Sequence, residues 1–173
     1  FSEDGLRPIR ACRLAAQLGF VIEPQTFAAI RQTNYVTEKV SSERMRDELM
    51  KLLLKSKRPS IGLKLMQESG LLKLMMPELE EGIGVTQPEF HSDDVFTHSL
   101  KACDVAEDSI KLIALLHDIG KPRTMTKDEF GTHFYGHDIK GAEIAKEIMT
   151  RLKFSNAEID RAANLIRWHM FYY

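Results

Sequence analysis

A chain of 173 residues, 43% hydrophobic and 28% charged, can bury a substantial core as one large or two small domains, which excludes a disordered tail. A net charge of −1 excludes a uniformly basic coat, no apolar run approaches the roughly 20 residues of a membrane span, and no signal-peptide pattern opens the chain, so a cytoplasmic setting without membrane contact is expected. Cys12 and Cys103 lie far apart with no CxxC neighbour, which excludes a disulfide framework or a thiolate metal site.

The first element reads as a helix entered through the acidic pair Glu3-Asp4 and stopped by Gly19, with Pro8 tolerated only near its start. Arg7, Arg10 and Arg13 recur every three residues and share one side, while Leu6, Ile9, Leu14 and Leu18 are expected to form the apolar side. By pattern alone the arginines read as a solvated basic face. A short helix over Pro24 to Gln32, a strong one from Ser41 or Ser42 through Leu54, and one introduced by Pro59-Ser60 and ended by Gly70 complete a bundle. Ile83 to Glu89 reads as a Gly- and Pro-containing linker.

Beyond the linker, helices are expected near residues 94–106, 108–119, 137–153 and 156–170, the last introduced by a Ser155-x-x-Glu158 capping box. Thr124 to Phe134 is a short hairpin or loop. The predicted fold is therefore all-α, with one helical domain over residues 1–84 and a second over 85–173.

Within the second domain, His117-Asp118 ends the apolar run Ile110-Lys111-Leu112-Ile113-Ala114-Leu115-Leu116. Imidazole and carboxylate groups in such a place cost several kcal/mol to desolvate unless something pairs or coordinates them. Adjacent helical residues project about 100° apart, so the pair shares one ion only at a helix end, which Gly120 and Pro122 supply. His98, His137 and His169 add imidazoles, and such a set suits one or two divalent ions among Zn, Fe, Ni, Mn and Co. His98, His117, Asp118 and His169 are the candidate metal ligands. His137 opens a helix, where it either ligates or contacts substrate, and Lys121 stands where a cation meets a phosphate attacked by water that the metal activates. Arg123 is a weaker candidate for the same job, and His91 and His133 read as loop residues.

The order His98, His117-Asp118, His137, His169 resembles the HD phosphohydrolase superfamily, whose helical domains hold a metal with a histidine, an adjacent His-Asp pair and later His or Asp ligands. That resemblance implies hydrolysis of a phosphomonoester or cyclic phosphodiester, with His137 and Lys121 as the catalytic pair. The late aspartate that often completes such sites is not found between His169 and Tyr173.

The N-terminal half carries a second resemblance. Glu3-Asp4-x-x-Arg7-x-x-Arg10-x-x-Arg13, followed by Ala15-Ala16-Gln17-Leu18-Gly19-Phe20, resembles the neck of bacterial CCA-adding tRNA nucleotidyltransferases and poly(A) polymerases. Ser42-Glu43-Arg44-Met45-x-x-Glu48-Leu49-x-Lys51-Leu52-Leu53 is similar to the next neck motif of that family, and Gly70-Leu71-Leu72 with Pro77-Glu78-Leu79 resembles its body. The resemblance implies that Asp4 and Arg7, supported by Glu3, select CTP and ATP by their base edges, and that Arg10 and Arg13 contact tRNA. A planar guanidinium and a carboxylate suit such edges.

Several members of that family carry an HD domain after the body, so both halves imply one parent enzyme. Its nucleotidyl transfer needs a head domain holding Mg ions and the triphosphate, which does not occur in this sequence, so the chain alone is not expected to transfer nucleotides and reads as a remnant beginning at the neck. Residues 1–60 hold 11 Lys or Arg against 7 Asp or Glu, a balance of +4, and the rest hold 13 against 18, a balance of −5. The basic half is the tRNA-facing candidate. Two alternatives remain open: a freestanding HD hydrolase of small nucleotides with a helical scaffold, and a non-catalytic RNA-binding module. Oligomeric state is not indicated.

Overall fold

The computed structural model describes residues 4–86 and 93–170, so Glu3 and His91 lie outside the described residues. The chain forms two compact units, Phe1–Pro77 and Glu78–Tyr173.

The first unit is helical. α1 (Arg7–Leu18) has Pro8 in its first turn and closes on Gly19, whose left-handed φ of 69° lets its N–H reach the Ala15 carbonyl. α2 (Pro24–Gln32) is capped by Glu23, which accepts the Thr26 N–H at 2.8 Å. The short α3 (Asn34–Thr37) leads to α4 (Ser42–Lys55), and α5 (Pro59–Ser69) starts on a proline and ends at Gly70. α6 (Leu71–Met75) follows, and α7 (Pro77–Glu80) straddles the division between units. α1 packs on α4 and α5, and the core is made by Ile9, Cys12, Leu49, Leu52, Leu53, Leu63 and Met66. Each fully buried Leu or Ile there contributes about 1.5–3 kcal/mol.

Two expectations for α1 need correction. Leu14 and Leu18 are exposed, and the buried stripe is Ile9, Cys12, Ala15 and Ala16, because that spacing follows the helical period from Ile9. No acidic residue stands in the first turn: Asp4 lies before the helix, and its Oδ1 accepts the Leu6 N–H at 3.0 Å.

The second unit begins with α8 (Val95–Val105), capped by Asp94, which accepts the Thr97 N–H at 2.7 Å. The segment before it is bound to its start, with Val95 N–H donating to Val85 O at 2.9 Å and Asp94 accepting the Gly84 N–H at 2.8 Å. α9 (Lys111–Leu116) and α10 (Lys121–Thr124) precede an antiparallel hairpin of β1 (Thr126–Asp128) and β2 (Gly131–His133), paired as Thr126↔His133, Lys127↔Thr132 and Asp128↔Gly131. α11 (His137–Arg151) and α12 (Asn156–Arg167) finish the unit, and the Ser155/Glu158 capping box is present. α11 packs on α12 and α10, and α9 packs on α8 and α12, around Leu100, Leu115, Leu116, Ile144, Ile148 and Ile166.

The molecule is mostly helical, as the sequence implies, with this one hairpin among the described residues. α9 and α12 are shorter than expected, so His117 caps α9 and His169 follows α12 in a turn instead of sitting on the helix.

Candidate metal centre

Four elements of the second unit bring one residue or pair each to a common point. α8 supplies His98, the end of α9 supplies His117-Asp118, the first position of α11 supplies His137, and the turn after α12 supplies His169. Asp118 is 2% exposed and sits at the middle. Its Oδ2 lies 3.4 Å from His98 Nε2 and 3.1 Å from His117 Nε2, and its Oδ1 lies 3.6 Å from His137 Nε2 and 3.7 Å from His169 Nε2. The donors form two sets sharing that carboxylate, His98/His117/Asp118 and Asp118/His137/His169, each with its atoms within 4.8 Å of one another.

The backbone decides which ring nitrogen points inward. His117 Nδ1 faces the Ala114 carbonyl at 2.7 Å, His137 Nδ1 faces Phe134 O at 2.8 Å, and His169 Nδ1 faces Ile166 O at 2.6 Å. A carbonyl only accepts, so each Nδ1 carries the proton and each neutral ring turns an Nε2 lone pair toward Asp118. Nitrogens also face each other, His98 and His117 at 3.2 Å and His137 and His169 at 3.3 Å. Lone pairs and a buried carboxylate aimed at one point repel unless a cation or added protons lie between them. Four imidazole nitrogens with one carboxylate are the donor set of a first-row divalent metal, and ring protons held by backbone carbonyls are its usual supporting shell. The residues fit such an ion.

Charges follow the same logic. Burial opposes ionisation of Asp118, but contacts with His117 and His169 and the charge of Lys121 prevail and hold its carboxyl far below the ordinary range. Burial lowers the pKa of His137, whereas at His169 the same penalty is outweighed by Asp118 and the Ile166 carbonyl and the pKa rises. In the metal-free protein His169 is thus the ring that more readily holds a second proton beside Asp118, and a metal bound there would compete with that proton.

Lys121, the first residue of α10, places Nζ 2.8 Å from Asp118 Oδ2. Its position depends on Gly120, where a Cβ would strike the His137 carbonyl oxygen and come within 2.6 Å of Gly141 N. Arg123 instead forms a bidentate pair with Glu81 at 2.6 and 2.8 Å. Sequence reasoning missed the three carbonyls. It also missed the ion pair of Asp138 and Arg167, which ties the start of α11 to the end of α12 beside two of the rings. The spacing of an acid after His137 and a base before His169 was the available signal.

In the first unit, Asp4, Arg10 and Arg44 lie together, with Asp4 3.6 Å from Arg10 and 3.7 Å from Arg44, while Arg7 is exposed. The bond from the Leu6 N–H, aided by the arginines, lowers the pKa of Asp4. The segment is docked by the Thr37 hydroxyl, which donates to Gly5 O at 2.8 Å. Arg10 and Arg13 converge on the buried Glu48 at 3.3 and 2.9 Å, Lys51 joins at 3.3 Å, and Arg13 also donates to Gln17 at 2.6 Å. Arg13 is therefore largely committed inside the unit, and Arg10 bridges Asp4 and Glu48.

Comparison with known proteins agrees with both halves. Residues 19–83 match the family described as "Probable RNA and SrmB- binding site of polymerase A", and residues 89–173 match the HD domain. The chain is 41% identical to an A-adding tRNA nucleotidyltransferase of Deinococcus radiodurans over 96% of its own length and 42% of the relative's. It is 37% identical to a CC-adding tRNA nucleotidyltransferase of Thermus thermophilus (97% and 42%) and 34% identical to a multifunctional CCA protein of Neisseria gonorrhoeae (100% and 44%). The chain thus spans less than half the length of these curated relatives. With these two matched segments in the order both resemblances imply, the chain belongs to the bacterial tRNA nucleotidyltransferase family, matching its neck, body and HD region.

Proposed function

We propose that this chain is the neck, body and HD portion of an enzyme that adds nucleotides to the 3′ end of tRNA, and that its HD unit is a metal-dependent phosphohydrolase. We put the border between the two roles at residues 84/85, a reading supported by one matched segment ending at residue 83 and the next beginning at 89. The observation that carries the hydrolase reading is the convergence of four imidazole Nε2 atoms on the buried Asp118.

His98, His117, Asp118, His137 and His169 would hold a divalent ion, which would supply Lewis-acid polarisation of a phosphate oxygen and ease ionisation of a water. The protein's own part is orientation and charge. The carbonyls of Ala114, Phe134 and Ile166 hold three rings in the ligating tautomer, and Asp118 presents one oxygen to each pair of rings. Lys121 offers its ammonium to a phosphate arriving beside Asp118. His137 stands where it completes the donor ring, which favours a ligand's role for it over a free base.

Elemental analysis combined with phosphatase and 2′,3′-cyclic phosphodiesterase assays tests this reading. His117→Ala is expected to lose bound metal and at least about 100-fold in turnover. Metal content and hydrolysis that both survive the substitution sink it.

In the first unit, Asp4 and Arg7 are proposed to read the base of CTP or ATP and Glu3 to support them. Arg10 and Arg13, steadied by Glu48, are proposed to help place the tRNA. In the whole enzyme, with its Mg-dependent head, Arg7→Ala is expected to blur the choice between CTP and ATP by about 10- to 150-fold, as loss of a charged hydrogen bond of about 1.5–3 kcal/mol implies. An unchanged CTP/ATP preference in a nucleotide-incorporation assay excludes that role.

A further inference from the structure

We infer that the open face of Tyr135 is a stacking platform for the nucleobase of whatever nucleotide or RNA end brings its phosphate to the metal centre. This inference rests on the hydrolase reading of the second unit. His133 closes β2 and Tyr135 stands in the turn just after it, where the two rings stack with centroids 5.2 Å apart and planes 10° from parallel. His133 is held from its edge by Asp128 at 3.0 Å, and Asp128 is fixed in the hairpin turn by accepting the Phe130 N–H at 2.8 Å. One face of Tyr135 is therefore covered and braced, yet the residue is 78% exposed. An aromatic ring already held in place has little rotamer freedom left to lose when a base stacks on it.

The neighbours of Tyr135 tie this ring to the metal centre. Phe134, just before it, gives its carbonyl to His137 Nδ1 at 2.8 Å and its ring face to Lys121, whose Nζ lies 5.7 Å from the ring centroid. The same Nζ is 2.8 Å from Asp118. Gly136, just after it, turns with φ 75° into α11, whose first residue is His137. Two backbone steps separate Tyr135 from a ligand, at most about 7 Å between Cα atoms. A nucleotide has a single sugar between phosphate and base, so a phosphate beside Lys121 leaves the base within reach of the open ring. Stacking accepts every base, so the platform selects for nucleotides as a class.

Calorimetry with AMP and ribose 5-phosphate, on both the metal-free and the metal-loaded protein, tests the platform without reference to turnover. The wild type is expected to bind AMP more tightly than ribose 5-phosphate. Tyr135→Ala should weaken AMP binding by about 5- to 150-fold, the range of base–aromatic stacking, and leave ribose 5-phosphate within about twofold, while Tyr135→Phe keeps the AMP affinity. No AMP preference in the wild type, or a Tyr135→Ala loss that is absent or equal for both ligands, overturns the platform. Hydrolysis of adenosine 2′,3′-cyclic phosphate judges the parent reading separately. KM should rise with kcat preserved in Tyr135→Ala, whereas hydrolysis untouched by His117→Ala removes the hydrolase reading and leaves the AMP affinities to decide the platform.

Discussion

Glu48 gathers three of the first unit's cations. A carboxylate 2% exposed survives in a helical core because Arg10, Arg13 and Lys51 surround it. Burial pushes its pKa up, but hydrogen bonds from those three cations prevail and leave it lowered. A group whose pKa is lower in the folded state stabilises the protein above its unfolded value, and that contribution disappears as pH falls through the folded value. Glu48→Gln is expected to cost about 2 kcal/mol at neutral pH in urea unfolding, with the difference from wild type shrinking in acid. A difference independent of pH rules out the charge as its source. The members of the cluster were legible in the sequence because the side chains of His98, His117-Asp118 and His169 have few other uses in an apolar helical context, and the structure brings them together. The role of Glu48 was not, since its partners come from α1 as well as from its own helix, and nothing in the local pattern of α4 distinguishes a buried acid from a solvated one.

At the scale of elements, the metal centre is built from helix ends instead of helix faces. α9, α11 and the turn after α12 each present a ring at a terminus, where the carbonyl three residues back is free of the helical ladder or shared with it and holds Nδ1. Start signals made two helix beginnings readable, the capping box at Ser155 and the proline at Pro59. The ends were harder: α12 stops at Arg167, where no glycine or proline announces it, and α9 stops at Leu116, a few residues before the Gly120 and Pro122 that mark its end in the sequence, because ring–carbonyl bonds compete with continuation of the helix. The short helices α3, α6, α7 and α10 also escaped notice, as four or five residues carry too little periodicity. Where α10 meets α11, Gly120 permits a backbone approach that no side chain tolerates. Gly120→Ala is expected to destabilise the protein by about 1–3 kcal/mol and, by displacing His137, to weaken metal binding. Thermal melting and metal titration of that variant check both effects, and a wild-type melting temperature with unchanged affinity contradicts them.

For the whole molecule, metal and fold are linked. An ion that binds only the folded second unit raises its stability by about 2.7 kcal/mol when present at 100 times its dissociation constant. Chelation should therefore lower the melting temperature of the protein. The proposed ligand His169 has a raised pKa in the metal-free state and would give up its extra proton to coordinate, so affinity should increase as pH rises through that pKa and weaken below it. Metal titrations across pH with proton release followed in unbuffered solution measure this, and affinity that strengthens in acid contradicts it. The two-part organisation was readable because two unrelated motif sets occupied separate halves of the chain. The place where contacts divide, after Pro77, was not, because the turn-rich stretch that reads as a linker is bonded to the start of α8.

Three of the four inward rings, His117, His137 and His169, are each latched by a carbonyl three positions earlier in the chain, so the aim of each is a local property of one segment. Such a pocket is damaged piecemeal. Fraying one terminus withdraws a single nitrogen while the others keep their bearing, and ion capture then declines in discrete steps instead of failing all at once.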